Sequence, residues 1–351
     1  MPALSLASPC IAADVEALLR RLPELRRLDG QRLLITGGTG FFGRWLLAVL
    51  DGLRRAGCDL RVAVVSRDPE RFLASEPYYR GADWLDWCAG DLRDVDLGGR
   101  AFDLLLHAGT DTSAAAHRDL LTIYDSILLG TRHLLDAAAA GDARRVLLVG
   151  SGAQYGRQPD DVARIAEHQG FACPSESADS AYGEAKRAAE TLGALYARRH
   201  GFAVVQARCF AFAGPGLPMD GHFAIGNFIR DALRGEPIRL SSRGEALRSY
   251  LYGADLAGWL LTLLLRGAPG EAYNVGSDVA LSVAELARRV AARLAPDLPV
   301  LIPDAGEAGP RARYIPAIDK ARGLGLDVWT GLDEAILATA RWWREGAGRE
   351  A

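Results

Sequence analysis

The run LLITGGTGFFGRWLL at residues 33–47 restricts the possible folds of this chain more than any other stretch. An apolar, strand-like segment ends in a glycine-rich turn, and a second apolar segment begins at Phe41 with helical spacing. Gly37, Gly40 and Gly43 are set as Gly-x-x-Gly-x-x-Gly across that junction, with Thr39, Phe41 and Phe42 between them. Glycine tolerates a tight turn and lets a diphosphate approach the main chain, while the first unpaired N–H groups of a helix attract an anion. Glycines also collect in ordinary turns. The strand before and the helix after are what favour a dinucleotide cradle here.

The rest of the chain repeats the alternation. Apolar runs RLLIT, LRVAVVS, FDLLLHAG, RVLLVGS and AVVQARCF are separated by helical patterns, among them LLTIYDSILLGTRHLLDAAAA and the segment from Tyr182. Such alternation predicts βαβ units and a Rossmann-type, doubly wound parallel sheet of the α/β class, covered on both faces. The expected organisation is an N-terminal helical extension over 1–29, with a helix at about 12–28, and a dinucleotide-binding domain over 30–213. From 214 to 351 glycine- and proline-rich pieces suggest a smaller C-terminal lobe over the strand ends, some segments returning to the core.

Composition narrows the function. A net charge of −3 gives no general attraction to nucleic acid or anionic membranes. The apolar run LAGWLLTLLL at 256–265 is too short to span a bilayer and reads as a buried helix. Five scattered cysteines without a CxxC pair and without clustered histidines predict neither a disulfide framework nor a metal site. No basic region precedes the first apolar patch, so a cytoplasmic location is expected.

The tip of the second strand reads VSRD. Ser66 and Arg67 there favour the 2′-phosphate of NADP(H), whereas Asp68 is compatible with the free ribose of NAD(H). Asp91 and Leu92 in GDLRD follow a third strand and are placed beside the adenine; His107, Ala108 and Gly109 are placed beneath the pyrophosphate. Tyr182 and Lys186 are four residues apart and share a helical face. A free tyrosine has a pKa of about 10, and a nearby ammonium lowers it, giving an acid or base usable near neutrality. Ser151 closes a sheet strand, where its hydroxyl can hold the same substrate oxygen. An exposed polar pair also produces Tyr-x-x-x-Lys, but the cradle, the strand-end serine and this pair in order are hard to obtain by accident.

In those motifs the chain resembles the extended short-chain dehydrogenase/reductases, the NAD(P)-dependent nucleotide-sugar epimerase/dehydratase family, over nearly all of residues 30–345. TGGTGFFG, GDLRD, HAG, GTRHLLDAA, VGSGAQYG, YGEAK, ARCFAFAGPG, RSYLYGADLA and YNVGS carry the resemblance. It implies Ser151, Tyr182 and Lys186 as the catalytic set, with Lys186 also on the nicotinamide ribose. Gly152, Ala153, Asn227 and Arg248 are implied on the nucleotide-sugar side, Arg248 clamping the diphosphate. A homodimer through a four-helix bundle, made by the helix around 118–139 and the Tyr182 helix, is implied as well.

Dehydratases of the family carry an Asp-Glu pair directly after the strand-end hydroxyl residue, and the decarboxylases a glutamate two residues after it. This chain has Gly152 and Ala153, leaving no evident base for proton abstraction beside a 4-keto group. Ile127 and Ala211 stand where relatives have asparagines, and Asn227 or His222 are the candidates to replace the second. The preferred expectation is an NADP(H)-dependent 4-ketoreductase of a nucleotide-4-keto-deoxysugar. A 4-epimerase with tightly held NAD is the alternative, and a non-catalytic NAD(P)-binding sensor is the reading from a different class.

Overall fold

The computed structural model of the protein describes residues 2–110, 118–220, 223–303 and 313–347. Seven parallel strands form the central sheet: β1 (Arg32–Thr36), β2 (Arg61–Ser66), β3 (Leu85–Ala89), β4 (Leu104–His107), β5 (Arg145–Ser151), β6 (Ala203–Cys209) and β7 (Ala272–Val275). Their spatial order is β7-β6-β5-β4-β1-β2-β3. The chain therefore reverses direction of travel between β1 and β4, and a crevice opens at the carboxyl ends of those two strands. The predicted Rossmann-type sheet is what forms.

Alternate side chains of each strand enter separate cores. Leu33 and Ile35 of β1 face the core that holds α2 (Phe41–Arg55) and α7 (Gly253–Arg266), whereas Leu34 faces Leu134, Leu135 and Ala138 of α4 (Leu120–Ala140). A parallel sheet buried on both faces needs apolar residues at both parities, and β1 supplies them. Beside α4 runs α5 (Ala181–His200), and these two helices share an extensive contact. The expected buried helix at 256–265 is the middle of α7, whose residues Gly253–Leu264 are all enclosed.

The N-terminal helix differs from expectation. Instead of one helix at about 12–28, α1 spans Pro9–Arg21 and a separate 3₁₀ turn spans Pro23–Leu28. Pro23 has no N–H to continue the ladder and restricts the backbone of Leu22 before it. Gly52 of α2 and Gly258 of α7 allow α1 to approach closely, since a Cβ at either would meet Val15 or Leu18.

After residue 214 the chain alternates between core and periphery. α7 and β7 return to the main sheet, while α3 (Pro69–Ser75) lies earlier, after β2. Outside the sheet, α6 (Ala224–Arg234) packs on α8 (Val283–Leu294), whose start is secured by a Ser282/Glu285 capping box. Leu247–Arg248 pairs with both Leu281–Ser282 and Arg313–Tyr314 in a small three-stranded sheet. The last helix, α9 (Leu332–Ala347), lies against α8 and α1. Among the described residues no helix is long and apolar enough to cross a membrane.

Candidate functional site

The glycine turn sits at the switch point between β1 and β4. Gly37 has φ +73, and a Cβ there would lie 2.6 Å from the Ala108 carbonyl oxygen and 2.9 Å from the Gly109 nitrogen. Both constraints require glycine. At Gly43 a Cβ would run into the Gly38 Cα and the Gly37 carbonyl, so the third glycine closes helix against turn. Gly40 is different. It is exposed, caps α2 with φ −85, and offers a Cβ nothing nearer than the Gly37 carbonyl oxygen at 3.5 Å.

Neither φ nor packing therefore requires a glycine at position 40, where its one local role is to cap α2. The open space there leaves the N-terminus of α2 accessible to a ligand phosphate, and that is the fit of this site to a dinucleotide. Thr39 is half-buried beside it. Phe42 packs edge-on against Phe212 at 4.9 Å between ring centroids, with Phe41 next to Phe42 at 6.1 Å. Beneath the turn, the Gly109 N–H donates to the Thr36 hydroxyl at 2.9 Å, which also contacts His107 Nδ1 at 2.7 Å. The opposite ring nitrogen meets the Thr131 hydroxyl of α4 at 3.1 Å. Burial, and secondarily the charge of Lys186, hold His107 down to a pKa of about 3. A neutral imidazole, with one N–H and one bare nitrogen, serves both hydroxyls. His107 thus ties β1, β4 and α4 together from inside, while Ala108 and Gly109 face the turn.

At the other end of the crevice, Ser66 is buried at the tip of β2 and its hydroxyl accepts from the Asp68 N–H at 3.3 Å. Asp68 is the N-cap of α3, its carboxylate accepting from the Arg71 N–H at 2.9 Å. Arg67, between them, is exposed. Asp91 is gripped by Arg93, whose Nε donates at 2.7 Å. That hydrogen bond above all, with Arg67 contributing, pulls the carboxyl below its ordinary pKa. Leu92 lies over Gly109 and Gly130, where an added Cβ would come within 2.7 Å and 3.0 Å of its side chain.

At the carboxyl end of β5, Ser151 caps a 3₁₀ turn, its hydroxyl accepting from the Ala153 N–H at 3.1 Å. Gly183, next to Tyr182, lets the start of α5 close onto this turn, since a Cβ there would be 2.8 Å from the Ala153 carbonyl oxygen. Tyr182 is half-buried among Ile123, Ile127, Ala185 and Ala189. Lys186 is enclosed and donates to the Val149 carbonyl at 2.9 Å and the Thr110 hydroxyl at 2.8 Å. Burial draws its pKa down to about 8. The start of α5, which carries Tyr182 and Lys186, thereby packs on the end of β5 and the turn that Ser151 caps.

Several partners of that set were not singled out in the sequence. The Gln154 side chain accepts from the Ser151 N–H at 3.3 Å and donates to Glu190 at 2.7 Å. Glu190, one turn beyond Lys186, is held by Arg208 at 2.5 and 3.1 Å, and Arg208 also reaches the Tyr155 hydroxyl at 2.6 Å. Tyr155 in turn donates to Asn274 of β7 at 2.9 Å. A sequence signal existed for Lys186 that motif reading overlooks. Of 41 lysines and arginines, only Lys186 and Lys320 are lysine. A chain that otherwise uses arginine keeps here the one cation whose proton can leave.

Residues 33–276 match the profile of the NAD dependent epimerase/dehydratase family. The chain belongs to that family. Over 304 residues it is 28% identical to UDP-glucuronic acid decarboxylase 6 of Arabidopsis thaliana, with 84% of this chain and 83% of the relative covered. It is 25% identical to dTDP-glucose 4,6-dehydratase of Streptomyces niveus, covering 90% and 93%. Among solved structures, UDP-glucose 4-epimerase of Thermus thermophilus in complex with NAD superposes with a TM-score of 0.74 at 25% identity, covering 89% of this chain and 99% of that one.

Within this epimerase/dehydratase frame, the position after the strand-end serine is closed. A Cβ on Gly152 would lie 2.8 Å from Phe210 ring carbons and 2.8 Å from the Tyr314 hydroxyl. Phe210 and Tyr314 pack in a tilted arrangement with 4.7 Å between centroids, and Ala153 is buried. Arg248 lies in register with Tyr314 on the small sheet, its guanidinium donating to the Leu247 carbonyl at 2.8 Å. Asn227 lies on α6, near the guanidinium of Arg230 at 3.5 Å. His222 falls outside the described residues. Among the described residues no three His, Cys, Asp or Glu side chains gather as for a metal ion.

Proposed function

We propose that this protein is an NADP(H)-dependent 4-ketoreductase acting on a nucleotide-4-keto-deoxysugar. The observation that carries the reading is the closed position at Gly152. A base for abstracting a proton beside a 4-keto group would sit at 152 or 153; Phe210 with Tyr314 fills the space a side chain at 152 needs, and position 153 is a buried alanine. Dehydration calls for that base, and the glutamate that decarboxylases of the family carry two residues after the strand-end hydroxyl is Ala153 here, so hydride transfer at a ring carbon is the chemistry the remaining groups support.

When bound in the cradle, the reduced nicotinamide supplies the hydride. The chain's own residues supply the proton and its control. Ser151 holds the C4 oxygen, Tyr182 donates its phenolic proton to that oxygen as charge develops, and the Lys186 ammonium beside it favours the resulting phenolate. Lys186 also serves the nicotinamide ribose, and Arg248 the substrate diphosphate. Arg67 supports NADP(H), because the Asp68 carboxylate is engaged in capping α3 and is the group a free ribose would want.

A 4-epimerase with retained NAD is the second reading, favoured by the likeness to the Thermus enzyme bound to NAD. Denaturing the purified protein and identifying the released nucleotide separates the two. Near-stoichiometric NAD supports the epimerase; an empty protein that binds NADPH more tightly than NADH supports the reductase. Absence of turnover with any nucleotide sugar would leave a nicotinamide-binding sensor. The assembly we propose is a homodimer through α4 and α5, on whose surface Leu121, Leu129 and Leu195 are exposed; a monomer by light scattering contradicts it.

A further inference from the structure

The Lys186 ammonium lies across the seam between two strands. One acceptor, the Val149 carbonyl, belongs to β5; the other, the Thr110 hydroxyl, follows β4. The Thr110 hydroxyl donates its own hydrogen to the Gly109 carbonyl at 2.9 Å. Toward Lys186 its oxygen is therefore an acceptor only. An ammonium has three N–H donors, so these two contacts aim the group and leave one donor for a ligand.

No carboxylate sits beside this charge among the described residues. Among the described residues, the titratable groups around Lys186 are the His107 ring, which burial keeps neutral, the Cys209 thiol at the end of β6, which burial pushes up, and the Tyr182 hydroxyl one turn back on α5. Glu190, one turn further on, is taken by Gln154 and Arg208. A buried ammonium without an anionic partner depends on its neutral acceptors to stay protonated.

We propose that Thr110 is a positioning residue that keeps Lys186 charged and fixed in place, by accepting a hydrogen bond that no other described side chain supplies. The reason this matters for turnover rests on the function proposed above, in which Lys186 serves the nicotinamide ribose and Tyr182. The contact itself is testable without any sugar substrate.

The chain has only two lysines, Lys186 and Lys320. Full-length protein labelled with ¹³C,¹⁵N-lysine gives two side-chain signals, and Lys320→Arg assigns them. The Lys186 signal is expected to titrate near 8. Thr110→Val, similar in shape but without the acceptor, is expected to lower that midpoint by about one pH unit or more, and Thr110→Ser to restore it. An unchanged midpoint in Thr110→Val, or one that Thr110→Ser fails to restore, overturns the proposal. NADPH and NADH dissociation constants measured across the same pH range isolate the other reading. If Thr110→Val moves the Lys186 midpoint and leaves both affinities and their pH dependence unchanged, Thr110 holds the ammonium and the ribose role of Lys186 is the part that fails.

Discussion

Two of the three cradle glycines are needed by the fold, whereas the third stands in open space at the start of α2, and two alanine substitutions separate the cases. In Gly37→Ala the new methyl would sit 2.6 Å from the Ala108 oxygen and 2.7 Å from its carbonyl carbon, against 3.4 Å for an ordinary contact. Both atoms are backbone, at the end of β4, and cannot swing aside. The φ of +73 adds a left-handed penalty of roughly 1–2 kcal/mol for any residue with a Cβ. Overpacking adds about 1–3 kcal/mol, so Gly37→Ala is expected to cost roughly 3–4 kcal/mol. For a chain of this size that is a fall in melting temperature on the order of 5 °C or more.

In Gly40→Ala the nearest protein atom to the methyl is 3.5 Å away and the backbone is extended. Stability should stay within about 1 kcal/mol of the parent, the residual being the poorer capping by alanine. The methyl instead points where a pyrophosphate must pass, and affinity for NADPH and NADH is expected to fall by at least about tenfold. Differential scanning fluorimetry and nicotinamide fluorescence titration measure the two effects on the same samples. The reasoning is refuted if Gly40→Ala binds cofactor like the parent, or if it loses as much stability as Gly37→Ala.

Three further outcomes are expected. His107 titrates far below a free histidine, so the unfolded chain takes up a proton between pH 6.5 and about 3 that the folded chain refuses. Stability is full above 6.5 and falls by several kcal/mol as pH drops through that window; urea midpoints across pH should show it, with a shallower slope in His107→Asn. Gln154→Met removes both the acceptor for the Ser151 N–H and the donor to Glu190, and should lower kcat about tenfold or more while KM stays within a factor of about two. Arg67→Ala should weaken NADPH at least about tenfold and leave NADH nearly unchanged; equal losses for both would remove the 2′-phosphate role.

The legible parts of this molecule are those written locally. The strand, glycine turn and helix of 33–47 announce themselves because the glycine spacing and both apolar periods lie within fifteen residues. Tyr182 and Lys186 are legible for the same reason, as an i, i+4 pair. Thr110 is not, because its contact with Lys186 joins residues 76 apart in sequence. Neither is the relay from Gln154 through Glu190 and Arg208 to Tyr155 and Asn274, whose members come from one turn, one helix and two strands. The absence of a carboxylate at Gly152 is plain in the sequence, but only the fold shows Phe210 and Tyr314 filling the space. At the N-terminus an amphipathic pattern runs on past Pro23, yet the missing N–H of that one residue ends α1 and divides the expected helix in two.

The most direct test of the central claim is NADPH oxidation at 340 nm with a nucleotide-4-keto-6-deoxyhexose, offered with both uridine and thymidine diphosphate carriers. Substrate-dependent oxidation, with hydride recovered at C4 of the product and rates lost in Tyr182→Phe, is the predicted result. No oxidation with either carrier, together with C4 inversion of an unoxidised nucleotide sugar or loss of carbon dioxide from UDP-glucuronic acid, would contradict it.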